Sequence, residues 1–394
     1  MTAESAREFE ALEAQAQPLL NAFRRAGYEQ VAPSIIQPAD IFLDQIGEAI
    51  RGRTYVFTDL AGEELCLRPD LTVPVSRLYL ERHPLADVEA RYCYNGPAFR
   101  FQPGGASLTH PREFRQAGIE CFGVQDRDSA DVEIVRLAVQ AVRSAGLKAS
   151  RLRFGDIALF YALIEALSLP ERWRLKLRHY FWRPPAFHAL LTRLAKGERP
   201  DGDGPVAALA ATLNTEDPVR AEELVANYME TKGFPLTGNR SLGEIIERLL
   251  DHAVDLRAEP LPKEVATIIE YYLAVEAPPR EAVDRIAMIA KGAGIDLGPA
   301  LYMLARRFEC LEESGIDLSL ARFATEFGRD LEYYSGLVFQ IEAGPSDKAS
   351  PIAGGGRYDG LLRSLGAKSE VSAVGAAIHT ERLLASVGGQ PDGR

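Results

Sequence analysis

Two long alternating segments, ARYCYNGPAFRFQ (90–102) and REFRQAGIECFGV (112–124), most constrain what this chain can fold into. Each reads as a strand, with successive side chains sent to opposite faces. Only the loop PGGASLTHP lies between them. A parallel pair needs a longer crossover, so this connection makes an antiparallel hairpin. TYVFTD and ELCLRPD repeat the pattern around LAGE. No Gly-x-Gly-x-x-Gly follows a strand, which argues against a dinucleotide-binding parallel sheet.

Helical patterning frames these hairpins. Residues 4–27 form an amphipathic helix with Phe9, Leu12, Leu19, Leu20 and Phe23 near one face. YEQVAPSIIQPADIF (28–42) is strand-like but broken by Pro33 and Pro38. Asp70 is placed to cap a helix with Thr72 and Pro74 in its first turn. SADVEIVRLAVQAVRSAGL is a helix closed at Gly146, and RLRFGD is a strand. Residues 157–315 then read as helices separated by RPPAF, GERPDGDGP and EAPPRE. Strand signals return from DLSLARFATEFG onward. The expectation is an α+β fold with a largely antiparallel sheet. Residues 1–156 and 316–394 would build one core in two parts, around a helical insertion with connecting helices over 157–315.

Composition narrows the function classes. The formal net charge of -11 gives no global attraction to nucleic acid. The best local basic stretch is ERWRLKLRHYFWR (171–183), where Arg172, Arg174, Lys176, Arg178 and Arg183 flank Trp173 and Trp182. It reads either as an RNA-binding patch or as an amphipathic helix with core aromatics and a solvated basic face. No apolar run approaches the roughly 18 residues of a membrane span. The acidic N-terminus has no apolar signal region. Cys66, Cys93, Cys121 and Cys310 have neither CxxC spacing nor the density of a disulfide framework. The six histidines show no metal-ligand spacing. A cytoplasmic protein without a metal or cofactor is expected.

Several residues carry chemical potential. Arg100 in an apolar strand needs an anion or an acid. Gln116 and Glu120 fall on one strand face with Gly118 between them, leaving room for a ligand on the sheet. Glu120 suits an ammonium group, and Gln116 suits orienting it. Arg329, Tyr333 and Tyr334 suit a carboxylate or an imidazole. Tyr358 follows three glycines that permit close backbone approach. Each has a plain structural reading: a salt-bridged arginine, a solvated Gln/Glu face, a glycine turn or bulge, and a core-and-rim tyrosine pair. The functional reading requires that these positions meet in one pocket.

The ordered segments LRPDLTVP, FRFQ…REFRQAGIECFG, GRDLEYYSGLVF, GGGRYDGLL and AVGAAIHTERLL resemble the catalytic core of class II histidyl-tRNA synthetases over about residues 5 to 386. Pro33 falls in the segment that resembles the dimer-forming first motif. The resemblance implies a class II antiparallel sheet flanked by helices. It also implies histidine-holding roles for Asp70, Thr72, Arg100, Gln116, Glu120, Arg329, Tyr334 and Tyr358, with Tyr333 alongside. Asp70 stands where the family has the longer Glu.

The nucleotide half departs from the family. Gln102 stands where an acid helps hold ATP, and His379 stands where glycine leaves space. The loop PGGASLTHP lacks basic residues. Phe114 and Arg382 match residues that sandwich adenine, so Gln102, Phe114, His379 and Arg382 form a vestigial nucleotide site. The sequence ends soon after the third motif, at Arg394, so an anticodon-binding domain is expected to be absent. This pattern is similar to the regulatory subunits of ATP phosphoribosyltransferase. That likeness implies no catalysis or tRNA binding, a homodimer through the first-motif region, assembly with the short-form catalytic subunit, and L-histidine as feedback effector. The alternative is a truncated synthetase-like enzyme that activates histidine or a related amino acid with ATP.

Overall fold

The structure, a computed structural model, describes residues 5–44, 48–107, 110–196, 205–215, 217–232, 242–257, 261–328, 332–344 and 351–388. Helix α1 (Ala6–Arg25) begins at a capping box. The Glu8 amide donates to Ser5 Oγ at 3.3 Å, and the Ser5 amide donates to Glu8 Oε2 at 2.8 Å. Leu12, Leu19, Leu20 and Phe23 are buried as the pattern requires. Phe9 is the exception at 48% exposure; the Arg115 guanidinium lies 5.2 Å from its ring centroid.

The strand-like stretch at 28–42, expected to break at Pro33 and Pro38, is two short strands, β1 (Glu29–Gln30) and β2 (Ile36–Pro38), followed by α2 (Asp40–Asp44). Pro33, which lacks an N–H to donate, lies between the strands. After α3 (Glu48–Arg51), β3 (Tyr55–Thr58) and β4 (Glu64–Leu67) form the expected hairpin. Asp59 fixes its turn by accepting from the amides of Ala61 and Glu63 at 2.8 and 2.9 Å. These strands form a small sheet ordered β2-β4-β3.

Next come α4 (Thr72–Arg82), β5 (Ala90–Phe99), β6 (Glu113–Phe122), α5 (Arg127–Ser144), β7 (Ser150–Asp156) and α6 (Ile157–Ala166). The helical stretch continues as α7 (Glu171–Tyr180), α8 (Pro184–Lys196), α9 (Pro205–Thr212), α10 (Pro218–Lys232), α11 (Leu242–Arg257) and α12 (Lys263–Leu273). Then follow β8 (Glu276–Ala277), α13 (Pro279–Ala293), α14 (Gly298–Glu313), β9 (Arg322–Ala324), β10 (Leu337–Ala343), β11 (Pro351–Arg357), α15 (Asp359–Ser364), β12 (Ala373–His379) and α16 (Thr380–Gly388). The large sheet is ordered β1-β5-β6-β12-β11-β10-β7-β9-β8. Among the described residues only the β1–β5 and β7–β9 pairs are parallel.

Residues 1–163 and 272–394 make one compact unit, and 164–271 make another. The helical stretch expected over 157–315 therefore divides, because α13 and α14 belong with the sheet. In the sheet unit, Arg307 of α14 reaches Asp128 at 2.8 Å, Asp131 at 3.1 Å and Asp156 at 3.2 Å. Arg357 lies 2.7 Å from Asp131 and 2.8 Å from Asp359. These buried charges are paired, as buried charges must be.

The glycine triplet, read as a turn or bulge, instead lies inside β11. There a Cβ on Gly355 would fall on the carbonyl oxygen of Gly375 and lie 2.8 Å from Ala376 Cα. Glycine is required by the close approach of β12, not by a turn.

In the second unit, Trp173, Leu177, Phe181, Phe187 and Leu190 are buried. Arg172 bonds Asp255 at 2.6 Å and Asp251 at 2.9 Å, and Lys176 pairs with Asp255. Arg174 pairs with Glu171 at 2.5 Å and Arg178 with Glu165 at 3.2 Å. Residues 171–180 of the basic stretch form amphipathic α7, and Arg172, Arg174, Lys176 and Arg178, four of the five cations named above, pair with acids of their own unit.

Candidate functional site

The cleft forms where β12, β11, β6 and the loop before α4 come together. Asp70, Thr72, Arg100, Gln116, Tyr333, Tyr334, Tyr358 and His379 line it, and it holds about 420 Å³ of empty space including its open mouth. Residues separated by up to 309 positions in sequence, from Asp70 to His379, thus share one surface. Arg329 lies outside the described residues. Glu120, Gln102, Phe114 and Arg382 do not line the cleft.

Asp70 accepts from the Val73 amide at 3.1 Å through Oδ1. It caps α4 from one residue before the N-cap Leu71. Its Oδ2 is buried and has no hydrogen-bond partner among the described residues. The same is true of Gln116 Oε1. Burial pushes the Asp70 carboxyl upward, and Arg100 and Arg68 oppose that. Arg100 sits one residue past β5 rather than within it. Its Nε donates to the Pro69 carbonyl at 2.9 Å, which ties it to the segment that carries Asp70.

Glu120 is wholly buried beneath the lining. Thr72 Oγ1 donates to its Oε1 at 2.7 Å, Tyr94 Oη to the same oxygen at 2.9 Å, and Tyr358 Oη to Oε2. Burial pushes this carboxyl up to about 7; the three hydroxyls act in the opposite direction. Burial also holds the Tyr94 and Tyr358 phenols well above their ordinary range, so both remain neutral donors.

Gly118 does not make room for a ligand as expected. A Cβ there would strike Tyr94 Oη and lie 2.6 Å from the Ala376 carbonyl oxygen. The vacancy beside Gly118 is filled by the ring of Tyr94, its partner across the β5–β6 register. Tyr94 is the residue that sequence reading missed. Its signal was an aromatic directly opposite a glycine in the hairpin. Gly354, Gly375, Ala376 and Ala377 were also missed; small residues give no local sign of lining a cleft.

Aromatic rings crowd the same cleft. Tyr333 and Tyr334 lie 4.9 Å apart, and Tyr333 lies 5.7 Å from Tyr358. Phe114 has the Arg100 guanidinium 5.0 Å and the His379 imidazole 5.1 Å from its centroid. Gln102 Nε2 donates to the Pro111 carbonyl at 3.0 Å and so closes its own loop. A carboxylate has no N–H with which to do this. Arg382 Nη1 donates to the Pro351 carbonyl at 3.0 Å. Among the described residues no cluster of His, Cys, Asp or Glu is poised to hold a metal ion.

The family model for histidyl-tRNA synthetase matches residues 4–217 and 251–383. An ATP phosphoribosyltransferase regulatory subunit of Mesorhizobium japonicum is 36% identical over 359 residues, covering 90% of this chain and 92% of that protein. One from Rhizobium rhizogenes is 35% identical over 366 residues, covering 93% of this chain and 95% of that protein. A crystal structure described as an ATP phosphoribosyltransferase regulatory subunit/histidyl-tRNA synthetase from Bacillus halodurans superposes with a TM-score of 0.65 at 19% identity. It covers 99% of this chain and 82% of that one, and this likeness concerns the fold. The expected α+β, synthetase-like architecture is the one found. The chain belongs to the ATP phosphoribosyltransferase regulatory subunits, a family built on the histidyl-tRNA synthetase fold.

Proposed function

We propose that the chain senses L-histidine in this cleft and passes feedback inhibition to a short-form ATP phosphoribosyltransferase catalytic subunit with which it assembles. The observation that carries this reading is the pair of buried acceptors, Asp70 Oδ2 and Gln116 Oε1, without partners among the described residues. Two such acceptors on residues lining one cleft call for a ligand rich in N–H donors, such as an ammonium group. Tyr333, Tyr334, Tyr358 and the Glu120 behind them are placed for the rest of the amino acid. His379 against Phe114 occupies space that a purine would need. The cleft therefore favours holding an amino acid over reacting it with ATP.

A sensor needs its ligand to bind one quaternary state better than another. A coupling of about 1–3 kcal/mol suffices for regulation. The first-motif region supports a homodimer: Ile35 and Ile36 are 40% and 51% exposed there, beside a groove lined by Val31, Pro33 and Leu78. Among the described residues no helix is long and apolar enough to cross a membrane. That fits the cytoplasmic role proposed here.

The test pairs two measurements on the isolated chain: histidine titration calorimetry and histidine-dependent ATP–pyrophosphate exchange. Binding without exchange is expected, followed by histidine-inhibited transferase activity once the catalytic subunit is added. Exchange by the chain alone would transfer the reading to an amino-acid-activating enzyme.

A further inference from the structure

We propose that Tyr94 is a positioning residue of the cleft, pinning the Glu120 carboxylate beneath the ligand and holding its charge near neutral pH. The proposal rests on the reading of the cleft as a histidine site. Glu120 and Tyr94 are both wholly buried. The groups that face Glu120 come from four directions. They are Asp70 and Thr72 at the start of α4, Tyr94 on β5, Tyr358 with the nearby Tyr333, and Gly375 of β12. Asp70 is the charged one, and its sign is the same. No cationic side chain among the described residues is bonded to Glu120. A buried carboxylate in such surroundings keeps its charge through hydrogen-bond donors.

The three donors are not equivalent. Thr72 and Tyr358 line the cleft, so a ligand can draw their hydroxyls away. Tyr94 lies behind the lining, with its Oη 2.9 Å from Glu120 Oε1. Its ring lies over Gly118, where a Cβ would strike the hydroxyl. Its donation persists with the cleft occupied.

The experiment is an infrared pH titration of the protonated-carboxyl band, assigned by its loss in Glu120→Gln, for the wild-type chain and Tyr94→Phe. The phenylalanine ring retains the packing beside Gly118. The expected result is an upward shift of the midpoint by about one unit, a tenfold rise in proton affinity. Gly118→Ala, which displaces the Tyr94 hydroxyl, is expected to shift it in the same direction. An unmoved midpoint in both folded variants overturns the proposal. Histidine calorimetry at about pH 6, 7 and 8 runs alongside it. If wild type binds, Tyr94→Phe should bind about fivefold more weakly at neutral pH, about tenfold more weakly at about pH 6, and regain affinity at the alkaline end. A loss equal at every pH is that of packing alone and counts against positioning. If wild type fails to bind histidine while the infrared midpoint still moves, the sensor reading falls and Tyr94's hold on Glu120 stands.

Discussion

The His379 imidazole lies 5.1 Å from the centroid of Phe114 and 31° from its plane. The Arg100 guanidinium approaches the same ring to 5.0 Å. A purine seeking that aromatic face meets an imidazole already in contact with it. Replacing His379 by glycine is expected to tighten binding of a fluorescent ATP analogue by about tenfold, roughly 1.4 kcal/mol. Equilibrium titration of both proteins checks this. Equal affinities would place the obstruction elsewhere.

Asp70→Asn removes the charge from the cleft-lining carboxyl while keeping its shape. If the ammonium group of histidine lies there, the affinity should fall by roughly 30- to 100-fold, the 2–3 kcal/mol of a charge-assisted hydrogen bond. Calorimetry reads this directly. A change of less than threefold would move the ammonium site away from Asp70.

Glu120 gives the fold a proton-linked stability whose sign follows from its direction of shift. Its carboxyl is raised from 4.5 to about 7, so the folded state holds the proton more tightly than the unfolded state does. The contribution is fully present below about 4.5 and is lost as pH rises through about 7. Glu120→Gln mimics the protonated form and lacks this dependence. Urea unfolding of the two proteins should show wild type losing roughly 3 kcal/mol relative to the variant between those limits. Asp131, raised to about 6, titrates in both proteins and cancels. Parallel pH profiles would mean that Glu120 titrates normally.

Arg357 donates to Asp131 at 2.9 Å, Asp359 at 2.8 Å, Ser372 at 2.9 Å and the Arg127 carbonyl at 2.8 Å. Arg357→Ala strands Asp131 in the interior with only Arg307 to answer it. The expected cost is about 3–5 kcal/mol in urea unfolding monitored by circular dichroism. A cost under 1 kcal/mol would show that Arg307 or water compensates.

What could be read from the chain was what local rules encode. The β5–β6 hairpin follows from alternation across a short loop, and α1 from its apolar spacing. The break at Pro33 follows from a missing donor, although it splits the segment into two strands. Phe9 lies on the expected face but stays 48% exposed near the start of α1, with the Arg115 guanidinium beside its ring. The turn-or-bulge reading of the β11 glycines fails and the close-backbone-approach reading holds, but the approaching backbone is that of β12, some twenty residues later. Gly118 was misread because its cause lies across the hairpin in Tyr94. The meeting of Glu120 with Tyr358 spans 238 positions, and no local pattern encodes it. Only resemblance to a family placed those two in one pocket.

Arg357 and Tyr358 are consecutive, yet one grips Asp131 of α5 and the other Glu120 under the cleft. One peptide unit thus belongs both to the ion-pair lattice and to the binding surface. A ligand that tilts the Tyr358 ring must work against the anchored arginine next to it. A ligand bound there would press on a wall tied through Arg357 to Asp131 of α5 and through Asp131 to Arg307 of α14.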